Sequence, residues 1–138
     1  MQVTNILPQR PDLNRGVWLN LENYCEELCK KENKELFVIA GGIFHSVNRI
    51  KDLVAVPDSF FKIIVVLNRD ESLQSITDTT KIIAVVMPNK NGIRNEPWRN
   101  YLTTVRRVEQ STGYDFLSNV KKEIQEVVEK SLFVYDKK

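Results

Sequence analysis

The stretch TNILPQRPDLNRGVWLNLE, residues 4–22, gathers the side chains best suited to chemistry. Three carboxamides, Asn5, Gln9 and Asn14, precede Glu22, and Arg10 and Arg15 flank the last amide. An amide oxygen is a neutral, hard donor. Magnesium keeps most of its water and takes few protein oxygens, so one amide can hold the ion without neutralising it. The ion's charge then remains for a phosphate oxygen on which negative charge develops. A carboxylate farther along the same helix can accept hydrogen bonds from the ion's waters and orient them. Asn14 and Glu22 are eight residues apart, which in a regular α-helix puts them on adjoining sides, about 80° apart. Plainer readings exist for the same residues: Asn14 as a helix cap, Glu22 as a solvated charge, Asn5 and Gln9 as braces of a turn around Pro8.

Composition narrows the setting. The chain has 138 residues, enough for one domain spanning 1–138 with a sizeable core. Twenty basic and 18 acidic residues leave a net charge of +2, too balanced to draw nucleic acid by bulk charge. Phosphate binding has to come from local placement, as at Arg10 and Arg15. The longest apolar run, FFKIIVVL, is interrupted by Lys62 and falls far short of the roughly 20 residues of a membrane helix. Residues 1–20 lack the basic-then-apolar layout of a secretion signal, so a soluble domain with no membrane partner is expected. Cys25 and Cys29 lie four apart on one helical face, a poor arrangement for a disulfide. With two cysteines and a distant single histidine, His45, zinc is disfavoured.

The elements that must position these residues follow from periodicity. Trp18, Leu21, Cys25 and Leu28 form one stripe of a helix over 15–32, capped by Asp12 or Asn14 and stopped at Asn33. ELFVIAGG reads as a buried strand closed by a turn at Gly41–Gly42, and 43–53 as a polar loop. LVAVP reads as a short strand, FFKIIVVLN and KIIAVVMPN as neighbouring central strands. A short helix capped at Thr103 or Thr104 ends near Gly113, its Arg106 and Arg107 solvated. A terminal helix over 119–131 turns Val120, Ile124, Val127 and Val128 inward. The class is α+β, an antiparallel or mixed sheet with helices packed on it.

Thr4, Asn5, Pro8, Gln9, Asn14, Trp18, Leu21 and Glu22 fall in register with S/T-N-x-x-P-Q-x-x-x-x-N-x-x-x-W-x-x-L-E. This resembles the metal-finger segment of the DNA/RNA non-specific endonucleases, the sugar-non-specific ββα-metal nucleases. LFVIAGG, VAVPDSFFKIIVVL, IIAVVMPN and RRVEQSTGYDFL extend the likeness over roughly residues 3–120. The resemblance implies the ββα-metal fold and hydrolysis of phosphodiesters in DNA and RNA with Mg²⁺, or Mn²⁺ in its place. Asn14 would be the direct metal ligand and Glu22 the carboxylate holding its waters. Asn5 would lie by the scissile phosphate or support the catalytic histidine. Gln9 would brace the finger, with Arg10 and Arg15 near phosphate.

Two departures stand out. The family's general base belongs to a D-R-G-H motif upstream of the finger, and the sequence contains no such motif; His45 matches no catalytic position. An arginine common four residues after the glutamate is here Glu26, which would repel a nucleic-acid backbone. The expected protein is therefore the C-terminal portion of such a nuclease, inactive or weak alone. Without upstream strands it would dimerise or pair with a complementing N-terminal fragment. The alternative is a catalytically degenerate relative that binds nucleic acid or protein. Family members occur in secreted and organellar settings, and the compartment stays open.

Overall fold

Long apolar runs without alternation belong to strands covered on both faces, and FFKIIVVL and KIIAVVM are such runs. The computed structural model describes residues 9–44 and 57–134, and the backbone of 49–50 and 54–55. A helix (α1, Trp18–Lys31) leads into β1 (Lys34–Ile43); a small ladder of β2 (Arg49–Ile50) and β3 (Val54–Ala55) follows. Then come β4 (Ser59–Asn68), β5 (Lys81–Pro88), β6 (Leu102–Thr103), α2 (Val105–Thr112) and α3 (Lys122–Val128). The main sheet has the order β1-β4-β5-β6 and is antiparallel throughout. Lys62 in β4 stands opposite Ala40 of β1 and Val85 of β5.

Strand alternation sends two cores to opposite faces. Phe60 and Ile64, with Ile83, Val85 and Met87, meet Trp18, Leu21, Cys25 and Leu28 of α1. Phe61, Ile63, Val65 and Leu67, with Ile82 and Ala84, meet Val105 and Val108 of α2 and Val128 of α3. The central strands are therefore apolar on both sides, as their sequence demands. The helical stripe is buried as expected, and both cysteines are free.

Several expectations are corrected. Helical conformation begins at Pro11, before the expected start at 15, and neither Asp12 nor Asn14 makes a side-chain cap bond. Asn33, at φ 57°, ends the helix in the left-handed region. Gly41 and Gly42 form no turn: β1 runs through both to Ile43. A Cβ on Gly41 would stand 2.9 Å from Cε1 of Phe61, so close side-chain packing is what suits a glycine there. β1 is also half exposed, being the edge of the sheet. Thr104 does cap α2, its hydroxyl oxygen accepting from the Arg107 N–H (3.2 Å), and Gly113 at φ 78° ends it. The last helix spans only Lys122–Val128, with Val127 outward. Arg106 is not simply solvated; it lies 3.5 Å from carboxylate oxygens of both Glu126 and Glu129.

Candidate metal-finger site

The start of the finger helix is not α-helical. Residues Leu13–Val17 form a π-helical turn in which the Trp18 N–H donates to the Leu13 carbonyl, five residues back. This changes which way each side chain faces. At about 100° per residue, an unbroken α-helix would set Asn14 within about 20° of Leu21, at the centre of the buried stripe, and swing Leu13 away from it. A π turn absorbs one extra residue and so rotates everything before it by about 100°. Leu13 then enters the core, where it is fully buried, and Asn14 comes out, where it is exposed. Asn14 and Glu22 now lie about 20° apart on one side of the helix, not the 80° of a regular spacing.

Close approach of a second segment accommodates the wide turn. Gly16 is buried, and a Cβ there would meet Cα and O of Arg94 at 2.7 Å. The Asp12 carboxylate accepts from the Gly92 N–H (2.8 Å) and lies 3.8 Å from the Arg94 guanidinium. The Arg10 N–H donates to the Asn89 amide oxygen (2.7 Å), and the Asn89 amide donates to the Pro57 carbonyl (2.9 Å). Asp12, expected as a cap, thus pins the loop after β5 to the finger.

Beneath Glu22 sits a residue that sequence reasoning treated only as a break in an apolar run. Lys62 is 0% exposed, its Nζ 3.5 Å from Oε2 of Glu22 and 4.4 Å from the centre of the Trp18 ring. Glu22, with its side chain 29% exposed, spans from this buried ammonium to solvent and is no plain surface charge. Burial pulls the Lys62 pKa down from the ordinary lysine value, while Glu22 and Cys25 push it back up. Burial drives the Cys25 thiol up to about 12, against a smaller pull from Lys62. Cys25 is therefore a neutral core group. The only sequence signal for this arrangement was a lysine in phase with Phe60 and Ile64, on the face that meets α1.

The other expected site residues are placed as follows. Gln9 is half-buried, and its amide nitrogen has no hydrogen-bond partner among the described residues. Arg10 and Arg15 are exposed beside Asn14 in sequence. Asn5 and His45 lie outside the described residues. Glu26 is exposed and lies 3.8 Å from Lys30.

A second acidic group lies across the sheet. Carboxylate oxygens of Glu109, Asp115 and Glu129 fall within 4.8 Å of one another. Burial, and then the neighbouring Glu129 carboxylate, push Glu109 up to about 8. The Phe116 N–H donates to Glu109 (3.0 Å) and Arg106 faces Glu129. This cluster belongs to the α2 and α3 face, remote from Asn14 and Glu22.

A model of the DNA/RNA non-specific endonucleases matches residues 1–123. The chain belongs to that family. Among non-specific endonucleases and other nucleases, it is 46% identical over 128 residues to a nuclease of Nostoc sp., covering 92% of this chain and 46% of that protein. It is 30% identical over 134 residues to mitochondrial nuclease 1 of Schizosaccharomyces pombe, covering 87% and 40% respectively. A chain in the crystal structure of the EndoG/EndoGI complex superposes with a TM-score of 0.65 at 23% identity, over 86% of this chain and 51% of that one. The fold is that of the ββα-metal nucleases. This chain spans less than half the length of the Nostoc and yeast relatives. The family is one of metal-dependent nucleases, whose ions call for hard oxygen donors; Asn14 is exposed and the Glu22 side chain is 29% exposed, so both oxygen donors reach solvent.

Proposed function

We propose that this chain supplies the metal finger for hydrolysis of phosphodiesters in DNA and RNA, with Mg²⁺ as the ion and Mn²⁺ as a substitute. One observation supports the reading: the π turn buries Leu13 and leaves Asn14 exposed, and helix geometry then assigns Asn14 to the side of Glu22. In this assignment Asn14 offers its amide oxygen as the single protein ligand, and Glu22 accepts hydrogen bonds from the ion's waters. When bound, the ion stabilises negative charge on the leaving oxygen. Arg10 and Arg15 meet the phosphate backbone from either side of Asn14, and Gln9, whose buried amide nitrogen has no partner among the described residues, braces the finger's entry. Asn5, four residues before Gln9, would serve beside the phosphate. Contacts to phosphate and metal, with no base edge read, suit both kinds of nucleic acid.

Glu26 favours a second reading. It replaces the family's usual arginine with a like charge to phosphate, and the one histidine, His45, matches no catalytic position. We therefore expect these 138 residues alone to nick plasmid DNA weakly or not at all, and a degenerate relative that only binds nucleic acid or protein stays the alternative. A complementing N-terminal fragment or a second copy could join at β5, where, among the described residues, β6 pairs with Ala84 and Val85 alone. No helix among the described residues is long and apolar enough to cross a membrane.

Mn²⁺ titration followed by electron paramagnetic resonance tests the metal assignment. The wild-type chain should take up one ion, and Asn14→Ala should lose it with a thermal midpoint unchanged, because the side chain is exposed. Equal Mn²⁺ uptake by both proteins would remove Asn14 from the site.

A further inference from the structure

The buried lysine raises a question that the finger chemistry does not answer. A completely buried ammonium is costly to keep, and an apolar residue of similar length would fill the same space under Trp18. Lys62 nevertheless points its Nζ at Oε2 of Glu22, 3.5 Å away, and has no hydrogen-bond partner among the described residues. Its surroundings are the Trp18 ring and the neutral Cys25 thiol. Among the described residues, the formal charge paired with it is Glu22. That carboxylate is 29% exposed and could be solvated without help, so the pair is not explained by rescue of the glutamate.

We propose that Lys62 is the internal counter-charge of Glu22, holding the Asn14–Glu22 site near neutrality so that a bound divalent cation keeps its full charge for an anionic phosphodiester. The proposal rests on the assignment of Asn14 and Glu22 given above. A bare Glu22 carboxylate would bind the ion more tightly and would also cancel half of its charge. With Lys62 behind it, Glu22 still orients water through its lone pairs while adding little net charge. The neutral amide of Asn14 acts in the same direction. The site thus gives up ion affinity and keeps attraction for phosphate, and Lys62 acts through Glu22 without touching ion or substrate.

The test is Mn²⁺ affinity of the 138-residue chain by electron paramagnetic resonance, for wild type, Lys62→Met, Glu22→Gln and Asn14→Ala. Removing the counter-charge should tighten Mn²⁺ binding in Lys62→Met about tenfold, since a cation near a dication opposes it. Inorganic phosphate binding to the Mn²⁺-loaded protein should weaken in the same variant. Glu22→Gln should bind Mn²⁺ more weakly than wild type. A packing role for Lys62 cannot tighten ion binding, so the sign separates the two explanations. Unchanged or weaker Mn²⁺ binding in Lys62→Met, with Asn14→Ala still abolishing it, overturns the counter-charge while leaving the metal assignment intact. Failure of Asn14→Ala to affect binding overturns the metal assignment, and the counter-charge with it. If Lys62→Met does not fold, as judged by near-ultraviolet circular dichroism, Lys62→Gln removes the charge at similar length and carries the same expectation.

Discussion

Glu22→Gln should make the chain's stability steeply dependent on pH. In the wild type the Lys62 ammonium has a carboxylate at 3.5 Å and no exposure to water. The glutamine variant leaves a buried ammonium without a counter-ion, and breaking such a pair costs about 3–5 kcal/mol. The lysine can escape by losing its proton, which sets a ceiling. From pH 7 to the ordinary lysine value of 10.5, at about 1.36 kcal/mol per pH unit, the escape costs about 5 kcal/mol. At pH 9 the same escape costs about 2 kcal/mol. Burial already holds the folded-state pKa of Lys62 below its unfolded value. Between those two values the unfolded chain binds the extra proton, so stability rises with pH. Loss of Glu22 removes the influence that pushes the pKa up and extends that rise toward lower pH. Urea denaturation from pH 6 to 9 should therefore show the variant about 3 kcal/mol less stable than wild type at pH 7, with the gap held to about 2 kcal/mol or less by pH 9. A gap that stays constant with pH, or no gap at all, would refute a charged Lys62 leaning on Glu22.

Two further outcomes follow from the same geometry. Gly16→Ala places a Cβ 2.7 Å from the Arg94 backbone, which must shift, and the strain should cost about 1–3 kcal/mol in a thermal melt; an unchanged midpoint would mean that the loop after β5 does not press on the π turn. Glu109 has its folded pKa raised from 4.5 to about 8, so its contribution is complete below pH 4.5 and is lost as pH rises toward 8. Glu109→Gln should flatten the decline in stability over that interval, measured by urea titration, and an unaltered pH profile would exclude a raised Glu109.

Much of the framework was legible because burial writes itself into periodicity. Trp18, Leu21, Cys25 and Leu28 announce one helical face, and the unbroken Ile and Val runs of β4 and β5 announce strands covered on both sides. Gly113 and Thr104 mark the ends of α2 by the conformations and bonds their side chains permit. The residues Thr4 to Glu22 carry enough fixed spacing to indicate the family, which the match over residues 1–123 shows. What escaped detection depends on contacts between distant segments. LNRGV contains no marker of a π turn apart from Gly16, whose reason is the Arg94 backbone nearly 80 residues later. Gly41 looks like a turn residue and is instead a strand residue making room for Phe61. Lys62 was visible as an interruption, but alternation tells only which face it takes, not that Glu22 waits there.

The widened turn at Leu13–Val17 holds one residue more than a regular helix needs. A chain shortened by a single residue within it could close into a regular helix and still present the amide outward and the leucine inward, because seven α-helical steps to the glutamate end about 20° round, where eight steps through the wide turn also end. Such a protein would break the spacing of the motif and keep the geometry that the motif encodes. Regularising the turn at unchanged length does the opposite: every lettered residue matches, and the amide swings toward the interior.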